Sequence, residues 1–139
     1  MLTKALEENI GVVGKLDYIT NTENRDVEVE IEVQIPDRKF RDIWSFACNG
    51  YRIEMQQSNN DQKETFRKRR RFIGKIKNLP PNSTDQQLES ELLPRHAKFW
   101  KVYKVNEERM EALVLFQSEK DKKMATIKKV KVNNKEYEW

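Results

Sequence analysis

The sequence predicts an α+β fold, in which residues 72–139 form a ferredoxin-like βαββαβ sandwich and residues 1–56 form an incomplete αββαβ copy. Two observations support this prediction. Strand-like and helix-like segments follow one another in that order after residue 71, and most of the order is repeated before residue 57. The polar stretch between them, residues 57–71, is predicted to be a basic linker.

The elements of the second unit follow from hydrophobic periodicity and helix caps. Phe72–Leu79 alternates Ile with Lys, as a half-buried strand requires. Thr84 and Gln87 have the spacing of a capping box, so a helix is expected to begin there and to end at Pro94. The remaining predicted elements are a strand at 98–105, a hairpin turn at 106–109, a strand at 111–116, a helix after Ser118 with a sparse apolar stripe of Met124 and Ile127, and a strand-like segment at 131–139.

The first unit is predicted to lack the strand with which the second unit begins. Its second helix is predicted from apolar residues at the i, i+3, i+4, i+7 spacing, namely Phe40, Ile43, Trp44 and Ala47. The other expected elements are a short helix at Leu2 to Leu6, strands at 12–20, 27–35 and 51–55, a helix start at Pro36 and a helix end at Asn49-Gly50.

The missing strand leaves two possible arrangements of the first unit. Either the strand at 27–35 pairs directly with the strand at 51–55, or another chain or a lost N-terminal extension fills the gap. Glu28, Glu30 and Glu32 alternate with apolar residues and are therefore expected to line the open face of the first sheet. Such a row of acids argues against direct RNA contact by this unit.

Charge is distributed unevenly along the 139 residues. Residues 1–56 carry 7 basic and 11 acidic side chains, residues 57–71 carry 6 and 2, and residues 72–139 carry 14 and 10. A polyanion is therefore expected to be attracted to the linker and the second unit, and weakly repelled by the first.

Several classes of protein are not expected from this sequence. One cysteine, Cys48, and one histidine, His96, do not suffice for a disulfide framework or a tetrahedral zinc site. No phosphate-binding loop or zinc-protease motif occurs, so we expect a non-enzymatic protein without a metal or another cofactor. No apolar run approaches the roughly 18 residues of a membrane span, and no secretory signal follows Met1. A soluble, intracellular protein is expected.

Two short segments of the second unit carry a resemblance to a known family. Gly74–Leu79 is similar to the first signature of the RNA recognition motif, and Arg109–Phe116 is similar to the second. Asn49–Ile53 resembles the passage from the second helix to the fourth strand of that family. The resemblance implies a degenerate tandem pair of such motifs, the first lacking its first strand, and a four-stranded sheet whose open face binds RNA.

The sequence departs from this family at the positions that stack bases. Aromatic rings of family members are replaced here by Lys75, Glu111 and Leu113, and each lost stacking contact costs about 1–3 kcal/mol. The matched positions that remain are expected to face the core by strand alternation. They are Ile76, Ala112, Val114 and Phe116.

Basic and aromatic residues of the second unit provide partial compensation. Either register of the strand at 98–105 places lysine beside an aromatic ring, as Phe99, Lys101 and Tyr103 or as Lys98, Trp100 and Lys104. The predicted nucleic-acid-binding residues are Lys75, Lys77, Phe99, Lys101, Tyr103, Arg109 and Leu113 on the sheet, and Arg69, Arg70 and Arg71 in the linker.

The function predicted from these features is non-enzymatic binding of single-stranded RNA, or of single-stranded DNA, by the second sheet face and the linker. The alternative is a protein-interaction module whose fold has lost the stacking residues, with possible self-association through the incomplete first unit. A third possibility is a fragment of a larger tandem array. The run Arg67–Arg71 is typical of nuclear-import signals, phosphate contacts and solvated connectors, and favours the nucleus over the cytoplasm.

Overall fold

The computed structural model describes Lys4, residues 42–56 and residues 62–139, together with the backbone of residues 11–20 and 25–33. This part of the chain is α+β, with antiparallel sheets. The strands are β1 (Gly11–Thr20), β2 (Arg25–Val33), β3 (Ser45–Cys48), β4 (Tyr51–Glu54), β5 (Phe72–Leu79), β6 (Phe99–Lys104), β7 (Met110–Phe116), β8 (Val130–Val132) and β9 (Lys135–Tyr137); the helices are α1 (Gln62–Arg69), α2 (Asp85–Leu92) and α3 (Glu119–Thr126), and a 3-10 turn covers Leu93–Arg95.

The central sheet has the strand order β5-β7-β6, with all neighbours antiparallel. The C-terminal segment lies beside the other edge of β5, because the amide of Lys77 donates to the carbonyl of Glu138 over 2.9 Å. Helices α2 and α3 contribute Leu88, Leu92 and Ala125 to the core beneath one face of the sheet. The sheet residues of that core include the four predicted to face inward, and each is fully buried: Ile76, Ala112, Val114 and Phe116.

Local signals define the helix ends of the second unit as expected. The Thr84 hydroxyl accepts from the amide of Gln87, and the Gln87 side chain accepts from the amide of Thr84, which completes a capping box. The hydroxyl of Ser118 accepts from the amide of Asp121 at the start of α3. These predictions are confirmed, as is the hairpin turn at 106–109, where the Asn106 side chain accepts two backbone amides.

The helix predicted to end at Asn49-Gly50 is wrong over its described part, since Ser45–Cys48 is a strand that pairs with Tyr51–Glu54. Asn49 and Gly50 have φ values of 53° and 84°, and positive φ at both central residues is what a two-residue hairpin turn needs. Pro36 and Phe40, and most of the predicted first helix, lie outside the described residues. Within the described residues β2 pairs with β1 and β4 pairs with β3, so direct pairing of the strand at 27–35 with the strand at 51–55 is not observed.

Three further segments differ from expectation. Part of the predicted linker is the helix α1. The C-terminal segment is a hairpin of β8 and β9 rather than one strand, since Asn133 and Asn134 both adopt positive φ. Met124 and Ile127 of the predicted apolar stripe are exposed, while Ala125 faces the core.

The β3–β4 hairpin packs against the second unit through buried polar contacts. Asp85, the first residue of α2, accepts from the amide of Arg52 over 2.9 Å and from the amide of Val102 over 2.8 Å. The guanidinium of Arg52 lies 4.4 Å from the ring centre of Trp100, whose indole donates to the carbonyl of Asp85. Residues 45–54 are thereby fixed beside α2 and the free edge of β6.

The close approach of Gly74 to Trp139 gives a first testable prediction. A Cβ atom on Gly74 would lie 2.9 Å from the Trp139 ring, which packs against Phe116 and donates to the carbonyl of Lys128. We expect Gly74→Ala to displace this ring and lower the free energy of unfolding by about 1–2 kcal/mol. Urea unfolding measures this free energy. In a Trp139→Ala background Gly74→Ala should lower the free energy of unfolding by clearly less, and an equal loss in both backgrounds would contradict this explanation.

Candidate nucleic-acid interface

Three predicted site residues form one row across the sheet face that points away from α2 and α3. The strand register pairs Lys75 with Leu113 and Leu113 with Lys101. Both lysines are exposed, and Leu113 between them is half-buried. Because neighbouring strands are about 4.8 Å apart, the backbones of the two lysines are separated by about 10 Å. The row therefore places one lysine on each side of the apolar side chain of Leu113.

Tyr103 and Glu111 form the next row of the same face. They are cross-strand partners, and the phenol of Tyr103 donates to the Glu111 carboxylate over 3.0 Å. Burial, followed by the bond to Glu111 and its negative charge, raises the pKa of Tyr103 above its ordinary value. The phenol therefore stays protonated at neutral pH and can keep donating to Glu111. This bond fixes the ring edge beside the lysine row, and it also leaves a carboxylate on the candidate surface.

Phe99 does not belong to the exposed surface. The sequence left open which residues of β6 face the core. In the structure Trp100 lies in the core, and Phe99, Lys101 and Tyr103 lie on the other face. However, Phe99 is only 5% exposed and pairs with the fully buried Leu115. Its ring is not available for stacking on a base, so its prediction as a contact residue is corrected.

Lys77 and Arg109 lie at one end of the sheet, beside a bulge that the sequence did not reveal. The pairing of β5 with β7 shifts between Ile76 and Leu79, and Asn78 adopts a φ of 61°. The side-chain oxygen of Asn78 accepts from the guanidinium of Arg109 over 3.3 Å. Asparagine adopts the left-handed conformation more readily than most residues, so Asn78 was the one sequence signal for this irregularity, and it was not used. Both cations are exposed.

Two of the three predicted linker arginines are occupied by contacts within the fold. Arg69 is 7% exposed and donates to Glu54 and to the carbonyl of Met55. Arg70 donates to the same carboxylate over 2.9 Å, and its guanidinium lies 3.5 Å from the ring centre of Phe66. Arg71 is exposed. Arg69 and Arg70 therefore attach α1 to the β3–β4 hairpin. Of the three, only Arg71 is exposed, as a residue that contacts a phosphate must be.

Neighbouring arginines are thus expected to respond differently to the same substitution. Arg69→Ala should lower the free energy of unfolding by about 2–3 kcal/mol, because it leaves buried acceptors without a donor. Arg71→Ala should change it by less than about 0.5 kcal/mol, since the side chain is exposed. Thermal and urea unfolding of both variants measure this difference, and equal stability of the two would contradict the described role of Arg69.

The chain also has a small cavity of about 170 Å³ between the β3–β4 hairpin and α2. Its charged lining residues are Arg52, Asp85 and Glu89. Arg52 donates to Glu89 over 3.4 Å, and its amide donates to Asp85. Burial lowers the pKa of the Arg52 guanidinium, and the charges of Glu89 and Asp85 offset part of this effect. These groups hold the hairpin in place.

Over the described part of the chain, no cluster of three or more His, Cys, Asp or Glu residues could hold a metal ion. None of the helices described is long and apolar enough to cross a membrane. Comparison with known protein families, curated proteins and solved structures finds no match to this chain. The case for a function therefore depends on the geometry of the sheet face.

Proposed function

We propose that this chain is a non-enzymatic protein that binds single-stranded RNA through a ferredoxin-like unit similar to an RNA recognition motif. Support for the fold comes from the β5-β7-β6 order and from the Lys77–Glu138 hydrogen bond, which brings the C-terminal segment to the remaining edge of β5. Such a unit needs a fourth strand at that edge. Support for the function comes from the residues of the opposite face.

The observation that carries the proposal is the exposed row of Lys75, Leu113 and Lys101. Lysines on adjacent positions of an open sheet can contact successive phosphates, and Leu113 offers apolar surface to a base. Tyr103 is the one ring in the next row of the described face. Because stacking rings are otherwise absent from these rows, binding is expected to be weak, dependent on salt and tolerant of sequence.

A titration with fluorescently labelled single-stranded RNA at several salt concentrations tests the proposal. Two to four phosphate contacts predict that log K falls with log salt at a slope of about −1.4 to −2.8. The same titration with single-stranded DNA and with duplex RNA as competitors defines the class of nucleic acid. Absence of binding at low salt, or binding that does not change with salt, would remove the proposal.

A protein-interaction module is the second candidate. It is favoured by the burial of Phe99 and by the Tyr103–Glu111 bond, which together leave the sheet face with little free aromatic surface. In that case the sheet face binds a partner chain through Leu113. Light scattering on the purified chain tests this candidate. A stable dimer whose mass RNA leaves unchanged, and which Leu113→Lys dissociates, would favour it.

A further inference from the structure

Helix α1 carries one aromatic side chain, Phe66, and this side chain is 52% exposed. The guanidinium of Arg70, one helical turn further along, lies 3.5 Å from the centre of its ring. At this distance the guanidinium is in contact with one face of the ring. The exposed part of Phe66 therefore belongs to the opposite face and to the ring edge, where a second flat group can stack.

Contacts with the β3–β4 hairpin hold this pair of side chains in place. Arg70 donates to both oxygens of Glu54, over 3.3 and 2.9 Å, and to the carbonyl of Phe66 over 3.3 Å. The Arg70 side chain is only 19% exposed. Because Glu54 holds the guanidinium and the guanidinium packs on the ring, the open ring face is oriented before a ligand arrives. Such preorganisation lowers the entropy cost of binding.

The sequence around this ring is strongly cationic. Residues 62–71 contain six basic side chains and one acid, a net charge of +5. The side chains of Arg67 and Lys68 are 78% and 70% exposed, and they lie 3.7 and 3.9 Å from Glu64. Exposed ion pairs of this kind contribute little stability, so both cations can exchange the carboxylate for a phosphate. Arg71 is exposed as well.

A base of a single-stranded nucleic acid fits this surface better than a protein partner does. Hot spots of protein interfaces are clusters of side chains that exclude water together, whereas Phe66 is the only apolar residue in the sequence of α1. Stacking of a base requires only one ring, and every nucleotide carries a phosphate with its base. A single open ring among cations therefore favours nucleic acid.

Helix α1 lies at the end of the central sheet where β5 and β6 begin. It is followed after two residues by Phe72, the first residue of β5, and Lys75 lies about 10 Å further along this strand. Arg69 of α1 and Lys98, which precedes β6, lie 5.3 and 5.7 Å from the ring centre of Trp44. One single strand of several nucleotides can therefore contact both α1 and the exposed row on the sheet.

We propose that Phe66 is a base-stacking residue of this chain. A base stacks on the ring face opposite Arg70, and the phosphates next to that base contact Arg67 and Arg71. The same strand continues to the exposed row on the sheet. This inference rests on the proposed RNA binding, and it supplies aromatic stacking that the sheet face lacks.

Fluorescence polarisation with a labelled single-stranded RNA of about ten nucleotides tests the role of the ring. Phe66→Ala should weaken binding about tenfold, while the slope of log K against log salt stays unchanged because no charge is removed. Phe66→Tyr should bind within about twofold of the wild type, since tyrosine also stacks on bases. Phe66→Leu is apolar but not aromatic and should lose about as much affinity as alanine.

The matched control removes an exposed ring elsewhere on the molecule. Tyr51 of the β3–β4 hairpin is 67% exposed, and Tyr51→Ala should leave RNA affinity unchanged. Equal melting temperatures of Phe66→Leu and the wild type exclude unfolding as the cause. A second measurement on the wild type uses NMR with labelled phenylalanine. The ring-proton signals of Phe66 should move upfield on addition of RNA, because the stacked base adds its ring current.

Three results would overturn this proposal and leave RNA binding by the sheet face intact. The first is Phe66→Ala that binds RNA as tightly as the wild type. The second is a set of Phe66 ring signals that RNA does not move. The third is Phe66→Ala that loses association between protein chains but keeps its RNA affinity, which would assign the ring to a protein contact.

The sheet face and the ring can also be separated in the other direction. If Lys75→Glu with Lys101→Glu binds RNA like the wild type while Phe66→Ala is weakened, the sheet face is excluded and the role of Phe66 is supported. A wild-type chain that binds no single-stranded RNA at low salt removes both proposals.

Discussion

Replacing Asp85 with alanine is expected to lower the free energy of unfolding by about 3 kcal/mol. The side chain is buried, and its two oxygens accept from the amides of Arg52 and Val102. Alanine would leave both amides without a partner and would remove a negative charge near the guanidinium of Arg52. It would also remove the acidic residue in the first turn of α2. Urea unfolding followed by tryptophan fluorescence measures the loss.

Two further variants show whether the loss arises from these hydrogen bonds. Asp85→Asn has the same shape but retains one acceptor, so its cost should lie between the wild type and alanine. Gln86→Ala changes the exposed neighbouring residue and should cost less than about 0.5 kcal/mol. Hydrogen exchange of Asp85→Ala should be faster over residues 45–54, because the hairpin loses its attachment to α2. A loss below about 1 kcal/mol for Asp85→Ala would contradict this role.

The elements that depend on local signals were predictable from the sequence. The Thr84 cap, the Ser118 cap and the alternation in β5 each involve residues within a few positions of one another. The two caps form hydrogen bonds within one helical turn, and the alternation of β5 is visible in its own sequence although its pairing with β7 is not local. The strand register of β6 is different, because Trp100 is held by the carbonyl of Asp85 and by Arg52, both distant in sequence.

The sequence of the β3–β4 hairpin fits both a helix and a hairpin. Ile43, Trp44 and Ala47 fit a helix, but Asn49-Gly50 is also the strongest short hairpin signal, and four residues on each side pair as strands. Tertiary contacts decide between the two, since the hydroxyl of Ser45 donates to the carbonyl of Lys98 and the amide of Arg52 donates to Asp85. A prediction based on the Asn-Gly pair would have found the hairpin.

The positively charged residues could not be sorted by sequence alone. Arg69, Arg70 and Arg71 are equivalent in the sequence, but Glu54 binds the first two because α1 lies beside β4. The same applies to Phe99, whose burial depends on its position in the folded sheet. Lys75, Leu113 and Lys101 were predicted individually, and the register of the sheet places them in one row.

The second large effect is expected for RNA affinity. Lys75→Glu with Lys101→Glu replaces both cations of the exposed row by anions, so two phosphate contacts become repulsive. We expect affinity for single-stranded RNA at low salt to fall by about tenfold or more, and the slope of log K against log salt to flatten by about 1.4. Fluorescence polarisation with the wild-type RNA probe measures both quantities.

The control must carry the same change of net charge elsewhere on the molecule. Lys128→Glu with Lys131→Glu meets this condition, because both lysines are exposed and lie outside the central sheet. This variant should lose only the long-range part of the attraction, about threefold or less at moderate salt. Equal losses for the two double variants would show that net charge, rather than the sheet face, determines binding.

The most direct test of the proposed RNA-binding face is an NMR titration of the ¹⁵N-labelled chain with a short single-stranded RNA. We expect the amide signals of Lys75, Lys101, Tyr103 and Leu113 to shift together and to saturate with one dissociation constant. Signals that shift only in α1 or α3, with those four residues unchanged, would contradict this expectation.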